Sequence, residues 1–382
     1  MSSLMLDILP YVRRSLVLSG VILLLPLITS AQSVIHPTKE NIPVSSDPRF
    51  ELGHNDNEEV WSWDMMDIAT VGVDEGDAHE MIGMVWDFDV DHKGTMYYVD
   101  LMGREVRAYG YDGKFIAVVS TAGSGPGEFR QPGGLAVIED GRKIIVGDFG
   151  VGHVFQREGD TFNLISTNHP EYPQGDALCA MNGFYYKQSY VGKEHGGVIH
   201  KYTLGGDWEK SFGKPYNYER HFVVSAIVGD AMLACNAKHG VIAQTTNHIP
   251  AMTGYSEDGE ELWQVTFSDY RSDIVLEVEK GLRYHTVLHE DNASVFKSLF
   301  SDGDYFYVTY SHLKRDLKNI PPIKFMENHI FRVDARTGLG HYLGAGPEPG
   351  EHLLAVDGEY RFTTTQNEGF PQIRVYKPGQ SQ

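Results

Sequence analysis

Three aspartates stand at alternate positions along one short segment: Asp87, Asp89 and Asp91. In an extended chain this spacing puts all three carboxylates on one face, where their repulsion needs a remedy. A bound calcium ion is one remedy, because calcium takes several oxygen ligands, and exposure at a strand end is the cheaper one. The run lacks the glycine and closing glutamate of an EF-hand loop. A site assembled from separate parts of the chain would draw on Asp87, Asp148, Asp176, His221 and Glu351, with Asp87, Asp176, His221 and Glu351 as metal candidates. A second constellation is basic: Arg104, Arg130, Arg220, His221, Lys238, His312, Lys314 and Arg315, with Lys318 and Lys324 close by, in an otherwise acidic chain. Converging, these groups would attract a carboxylate or an acidic glycan; dispersed, they are ordinary solvated charges paired with nearby acids. Tyr172, Tyr190, Tyr216, Tyr218, Tyr270 and Phe370 could stack on a sugar or peptide. His285 and His289 have the i, i+4 spacing of one helix face, but Glu279-Lys280-Gly281 would interrupt that helix. There is no GxSxG elbow, phosphate loop or HExxH motif, so no catalytic residue and no cofactor is assigned, calcium being the one candidate ion.

What must position these residues is a repeat. In Ser120–Asp148 a strand end runs into the glycine-rich Gly123-Ser124-Gly125-Pro126-Gly127-Glu128-Phe129, then into two apolar runs split by Glu139-Asp140-Gly141-Arg142. The clearest unit precedes it: Val85–Val90, Thr95–Val99, Val106–Tyr111 and Phe115–Thr121, joined by turns such as Asp112-Gly113. This reads as an antiparallel meander of four strands, a to d. A second unit spans Gly134–Thr167, and a third uses Ala177–Met181, Phe184–Ser189, Gly197–Leu204 and Trp208–Phe212. The fourth is expected at Phe222–Val228, Ala231–Asn236, Ala251–Ser256 and Glu261–Phe267, and the fifth at Val295–Phe300, Tyr305–Tyr310, His329–Asp334 and Gly340–Leu343. The sixth has only Leu353–Val356, Tyr360–Thr365 and Gln372–Tyr376; the orphan strand Val60–Val71 would complete it and close a ring.

Gly123–Phe129, Pro132, Gly134-Leu135-Ala136-Val137 and Ile144-Ile145-Val146-Gly147-Asp148 resemble the NHL-repeat signature. The whole chain resembles exported bacterial six-bladed β-propellers related to NHL and TolB-like propellers. The resemblance implies an all-β fold of four-stranded antiparallel blades, closed by an N-terminal strand that completes the last blade. In such a meander the d-to-a and b-to-c connections share one face. Here that face receives every long connection (Lys238–Pro250, Ser268–Ser294, Ser311–Asn328), so a binding site is expected there and at the adjoining channel mouth.

The remaining composition bounds the setting. Arg13-Arg14, the apolar run Ser15–Ile28 and Thr29-Ser30-Ala31 form an export signal over residues 1–31; an extended leader over 32–59 and a propeller over 60–378 follow. The mature chain is therefore expected in the periplasm or outside the cell, with no integral membrane span, the alternative being an uncleaved N-terminal anchor. A net charge of −20 disfavours nucleic acid. Cys179 and Cys235 can pair in an oxidising compartment or sit as two small buried residues. The leading functional reading is a monomeric binding or scaffolding module for a protein, peptide or glycan. The alternative is a metal-dependent, lactonase-like propeller hydrolase or lyase.

Overall fold

The structure is a computed structural model that describes residues 34–35, 47–53, 61–169, 177–188, 196–213, 231–247, 249–271, 276–277, 293–315, 323–346, 350–365 and 369–379. The export signal and most of the leader lie outside these residues. So do Asp176, Arg220, His221, His285 and His289.

Six four-stranded antiparallel sheets follow one another along the chain, each in the order a-b-c-d. Blade one is Val85–Val90, Thr95–Asp100, Glu105–Gly110 and Phe115–Ser120. Blade two is Pro132–Ile138, Lys143–Asp148, Val151–Glu158 and Thr161–Asn168, and blade three is Leu178–Met181, Phe184–Gln188, Ile199–Thr203 and Trp208–Phe212. Blade four is Ala231–Asn236, Val241–Thr246, Ile249–Ser256 and Glu261–Phe267, and blade five is Ala293–Asp302, Tyr305–Arg315, Ile323–Asp334 and Gly340–Ala345. Blade six is Glu351–Asp357, Tyr360–Thr365 and Gln372–Pro378, completed by Met65–Val71. Every a strand touches the a strands of both neighbouring blades, so the inner strands form an unbroken ring. This is a six-bladed β-propeller.

The ring closes as the orphan strand required: Ile373 opposes Val71 and Pro378 opposes Met65 in antiparallel register. The closing strand starts at Met65 rather than Val60, because Trp61–Asp64 leaves blade six and reaches blade five. There Trp61 N–H donates to Leu343 O (2.7 Å), Trp63 Nε1–H donates to Ala345 O (2.9 Å), and the Arg361 guanidinium covers both indoles.

Each gap between blades holds its own apolar cluster, and the two-residue strand period divides the work. In strand b of blade one, Tyr97 and Val99 fill the gap to blade two, while Met96 and Tyr98 fill the gap to blade six. With both faces covered, inner strands read as continuous apolar runs, and a fully buried side chain such as Phe362 contributes roughly 1.5–3 kcal/mol.

Two expectations are corrected. Blade four begins at Ala231–Asn236, which is strand a, not b; its strand b is Val241–Thr246. The Phe222–Val228 segment lies outside the described residues, and the supposed long loop Lys238–Pro250 is a short turn plus a strand. The second correction is to the leader: Glu51-Leu52 pairs in parallel with Thr266-Phe267, adding a fifth strand to blade four and burying Leu52. Ser311–Asn328 is in large part a β-hairpin extension, with Lys314 opposite Lys324 across it.

Candidate functional site at the channel mouth

A cavity of about 550 Å³ runs between the inner strands of the six blades. Its walls continue into the a-to-b turns, through His92, Glu139–Gly141, Asn182-Gly183, Asn236–Lys238 and Asp302-Gly303. It therefore opens on the short-turn face, opposite the face favoured from the sequence.

An innermost strand exposes one row of backbone N–H groups to the channel, and those donors need acceptors. Blade one supplies them to blade two. Leu135 N–H donates to Asp87 Oδ2 and Val137 N–H to Asp89 Oδ2, both at 2.7 Å. The alternation of the aspartates matches the alternation of the outward N–H groups on the next strand. Asp91 is buried elsewhere: it accepts from Lys93 and Thr95 N–H inside its hairpin and lies 3.2 Å from Arg157. The repulsion anticipated among the three is thus answered by inter-blade hydrogen bonds and one arginine. Asp89 still keeps some surface on the channel. Burial pushes its carboxyl up to about 6 against the pull of the Val137 and Val90 N–H groups.

At the rim, the a-to-b turns of blades one, five and six converge. His92 adopts φ +56°, and its Nδ1 lies 2.7 Å from Asp357 Oδ1. Tyr111 O–H donates to Asp357 Oδ2 (2.7 Å) and helps hold that carboxyl below its ordinary range, after the larger effect of His92. The Asp357 bond is also the main reason the His92 imidazole is held at about 8. Burial raises the Asp302 carboxyl, helped by Asp357 and opposed by His92. One ligand atom from each of His92, Asp302 and Asp357 lies within 4.8 Å of the other two. No sequence motif marks this trio, because His92 is more than 200 positions from both aspartates and only ring closure unites them. The opposite arc of the wall carries the Cys179–Cys235 disulfide, which joins the inner strands of blades three and four.

The residues named from the sequence are mostly elsewhere. Arg104 and Arg130 are exposed on the long-connection face, in different connections. Lys238 lies on the other face, in the a-to-b turn of blade four, and pairs with Asp304 at 2.8 Å. His312 stays near the long-connection end of blade five, 3.0 Å from Ser294 Oγ. Lys314 and Arg315 belong to the hairpin extension. Asp148 is buried and accepts from Arg130 and Gln131 N–H, fastening the joint into blade two. Asp100 does the same in blade one with four N–H groups. Glu351 is buried under Thr363 and Tyr376 hydroxyls. Tyr270 is a core residue stacked on Phe296, not a platform for a ligand. The glycine-rich Gly123–Phe129 segment is also structural: Glu128 accepts from Ser124 and Gly125 N–H, and Phe129 is fully buried.

Comparison with known proteins agrees with the geometry. A family model described as a 6-bladed beta-propeller, DUF5128, matches residues 89–214. The ring has solved counterparts. A candidate exported protein from Bacteroides fragilis superposes with a TM-score of 0.56 at 10% identity, covering 86% of this chain and 98% of its own. A member of the DUF4221 family from Bacteroides vulgatus gives 0.57 at 10% identity, covering 82% and 97%. At such identity the likeness is one of fold. No curated protein sequence matches significantly. Among the described residues no helix is long and apolar enough to cross a membrane.

Proposed function

We propose that the chain is an exported propeller, related to NHL-repeat and TolB-like propellers, that works as a binding or scaffolding module. Its ligand is a protein, peptide or glycan segment seated in the channel mouth on the short-turn face. The observation that carries this reading is the cavity of about 550 Å³, open at a rim built from the turns of several blades. A concave, largely preformed pocket with a few converging polar groups is the usual form of a binding site. Asp87, Asp89, Asp91, Glu139 and Asp140 line the channel and its rim, an acidic field that favours a ligand with a cationic group, such as a basic peptide side chain or an amino sugar. Export into the periplasm or beyond is supported by the signal-like residues 1–31 and by the fold shared with a candidate exported protein. The hydrolase or lyase alternative has less support: Asp87, Asp148 and Glu351 are each engaged in hydrogen bonds that hold the fold.

The test is a combined peptide and glycan array probed with the mature protein and with the Ala237→Trp variant. Ala237 is exposed and lines the mouth, so the added indole obstructs entry without disturbing the core. Binding to a defined class of basic ligand, lost in the variant, is the expected result. Equal binding by both proteins would place the ligand elsewhere and refute the proposal.

A further inference from the structure

The trio at the rim combines three donors from three blades: His92 of blade one, Asp302 of blade five and Asp357 of blade six. Each carboxylate is oriented by a donor from outside the trio, Asp357 by Tyr111 O–H and Asp302 by the backbone N–H of Gly358. Outer partners of this kind orient metal ligands and raise affinity. The three ligand atoms all lie within 4.8 Å of one another, the span a single small ion can bridge. We propose that His92, Asp302 and Asp357 form a binding site for a divalent cation that ties blades five, six and one together at the channel rim.

The donor set decides the kind of ion. One imidazole nitrogen with two carboxylate oxygens suits a first-row ion such as Zn²⁺ or Mn²⁺, whereas Ca²⁺ prefers an all-oxygen shell. Two carboxylates outnumber one imidazole, protonated or not, and Asp89 adds negative field from the channel wall. A dication removes that imbalance. Location gives the ion a role, for blade six is where the N-terminal strand closes the ring. An ion joining blade six to both neighbours reinforces that seam, and three protein donors leave a coordination position open toward the channel. None of these residues belongs to the metal set anticipated from the sequence. The site also stands independently of the proposed peptide or glycan ligand, because its test uses the metal alone.

The test uses the full mature chain, stripped with a chelator and titrated calorimetrically with Zn²⁺ and Mn²⁺. Variants are His92→Asn, which tolerates the left-handed backbone, Asp302→Asn, Asp357→Asn and Tyr111→Phe. The expected result is one equivalent of ion per chain. Affinity should fall roughly 10–100-fold in Tyr111→Phe and by a larger factor in each ligand variant. The ion should raise the melting temperature of the wild type but not of Asp302→Asn. Pulsed EPR of Mn²⁺ on the wild type supplies a readout that needs no variant, with one imidazole nitrogen expected in the first shell. No saturable binding, undiminished binding in all three ligand variants, or bound Mn²⁺ with no nitrogen coupling would overturn the proposal.

Discussion

Replacing Asp100 by asparagine tests how the blades are joined. The Asp100 side chain is buried at the end of strand b in blade one. Its Oδ1 accepts from Met84, Met102 and Gly103 N–H, and its Oδ2 accepts from Gly83 N–H, at 2.9–3.1 Å. One carboxylate thus gathers both connections on that side of the blade. Asparagine keeps one acceptor oxygen and turns the other into a donor that faces the Gly83 N–H. It also removes the charge that strengthens the other three bonds. Hydrogen bonds to charged groups contribute about 1.5–3 kcal/mol each, and a buried donor left without an acceptor costs about 1–3 kcal/mol. These values do not add within one cluster, so a loss of roughly 3 kcal/mol is expected for Asp100→Asn. For a chain of this size that corresponds to a fall of about 4 °C in melting temperature. Differential scanning calorimetry of the mature protein measures it. A variant that melts within a degree of wild type would refute the idea that buried aspartates fasten the joints.

Other consequences follow from the same contacts. Removing residues 61–71 deletes the closing strand and the Trp61/Trp63 strap, exposing the edge of Gln372–Pro378; size-exclusion chromatography should show aggregation, and an unchanged monomer would mean the ring closes otherwise. Burial raises the Asp148 carboxyl, but His153, 3.7 Å away, and the Arg130 and Gln131 N–H groups lower it further, leaving it below its ordinary value. Its stabilising contribution is therefore complete above about pH 4 and lost as pH falls through the lower folded value, so Asp148→Asn should flatten that acid limb of an equilibrium unfolding series. Reducing Cys179–Cys235, which closes a separation of 56 residues, should cost about 2–4 kcal/mol, read as a shift in the urea midpoint with and without reductant.

The fold was legible because its punctuation is local. Asp112-Gly113 and Gly123–Phe129 announce their turns within a few residues, and the lone N-terminal strand against a short last blade demanded closure. Blade four misled because Val241–Thr246, VIAQTT, is half polar and its flanking turns lack the Asp-Gly signal, so rhythm alone shifted the strand by one place. The site was far less legible. Asp87 and Asp89 looked like a cation site because sequence shows their mutual spacing but not the N–H row of the neighbouring blade. Lys238 changed face with the reassigned strand. His92, Asp302 and Asp357 gave no signal, since each is an ordinary turn residue until the ring brings blades five, six and one together.

Site-specific maleimide labelling tests whether ligands enter the channel from the short-turn face. Both native cysteines are in the disulfide, so an introduced thiol reports alone. Ala237→Cys places it at the channel mouth, and Met102→Cys places it on the long-connection face. With the best array ligand bound, labelling of the Ala237→Cys protein should slow and labelling of the Met102→Cys protein should not change. Protection at position 102 with none at 237 would contradict entry from the short-turn face.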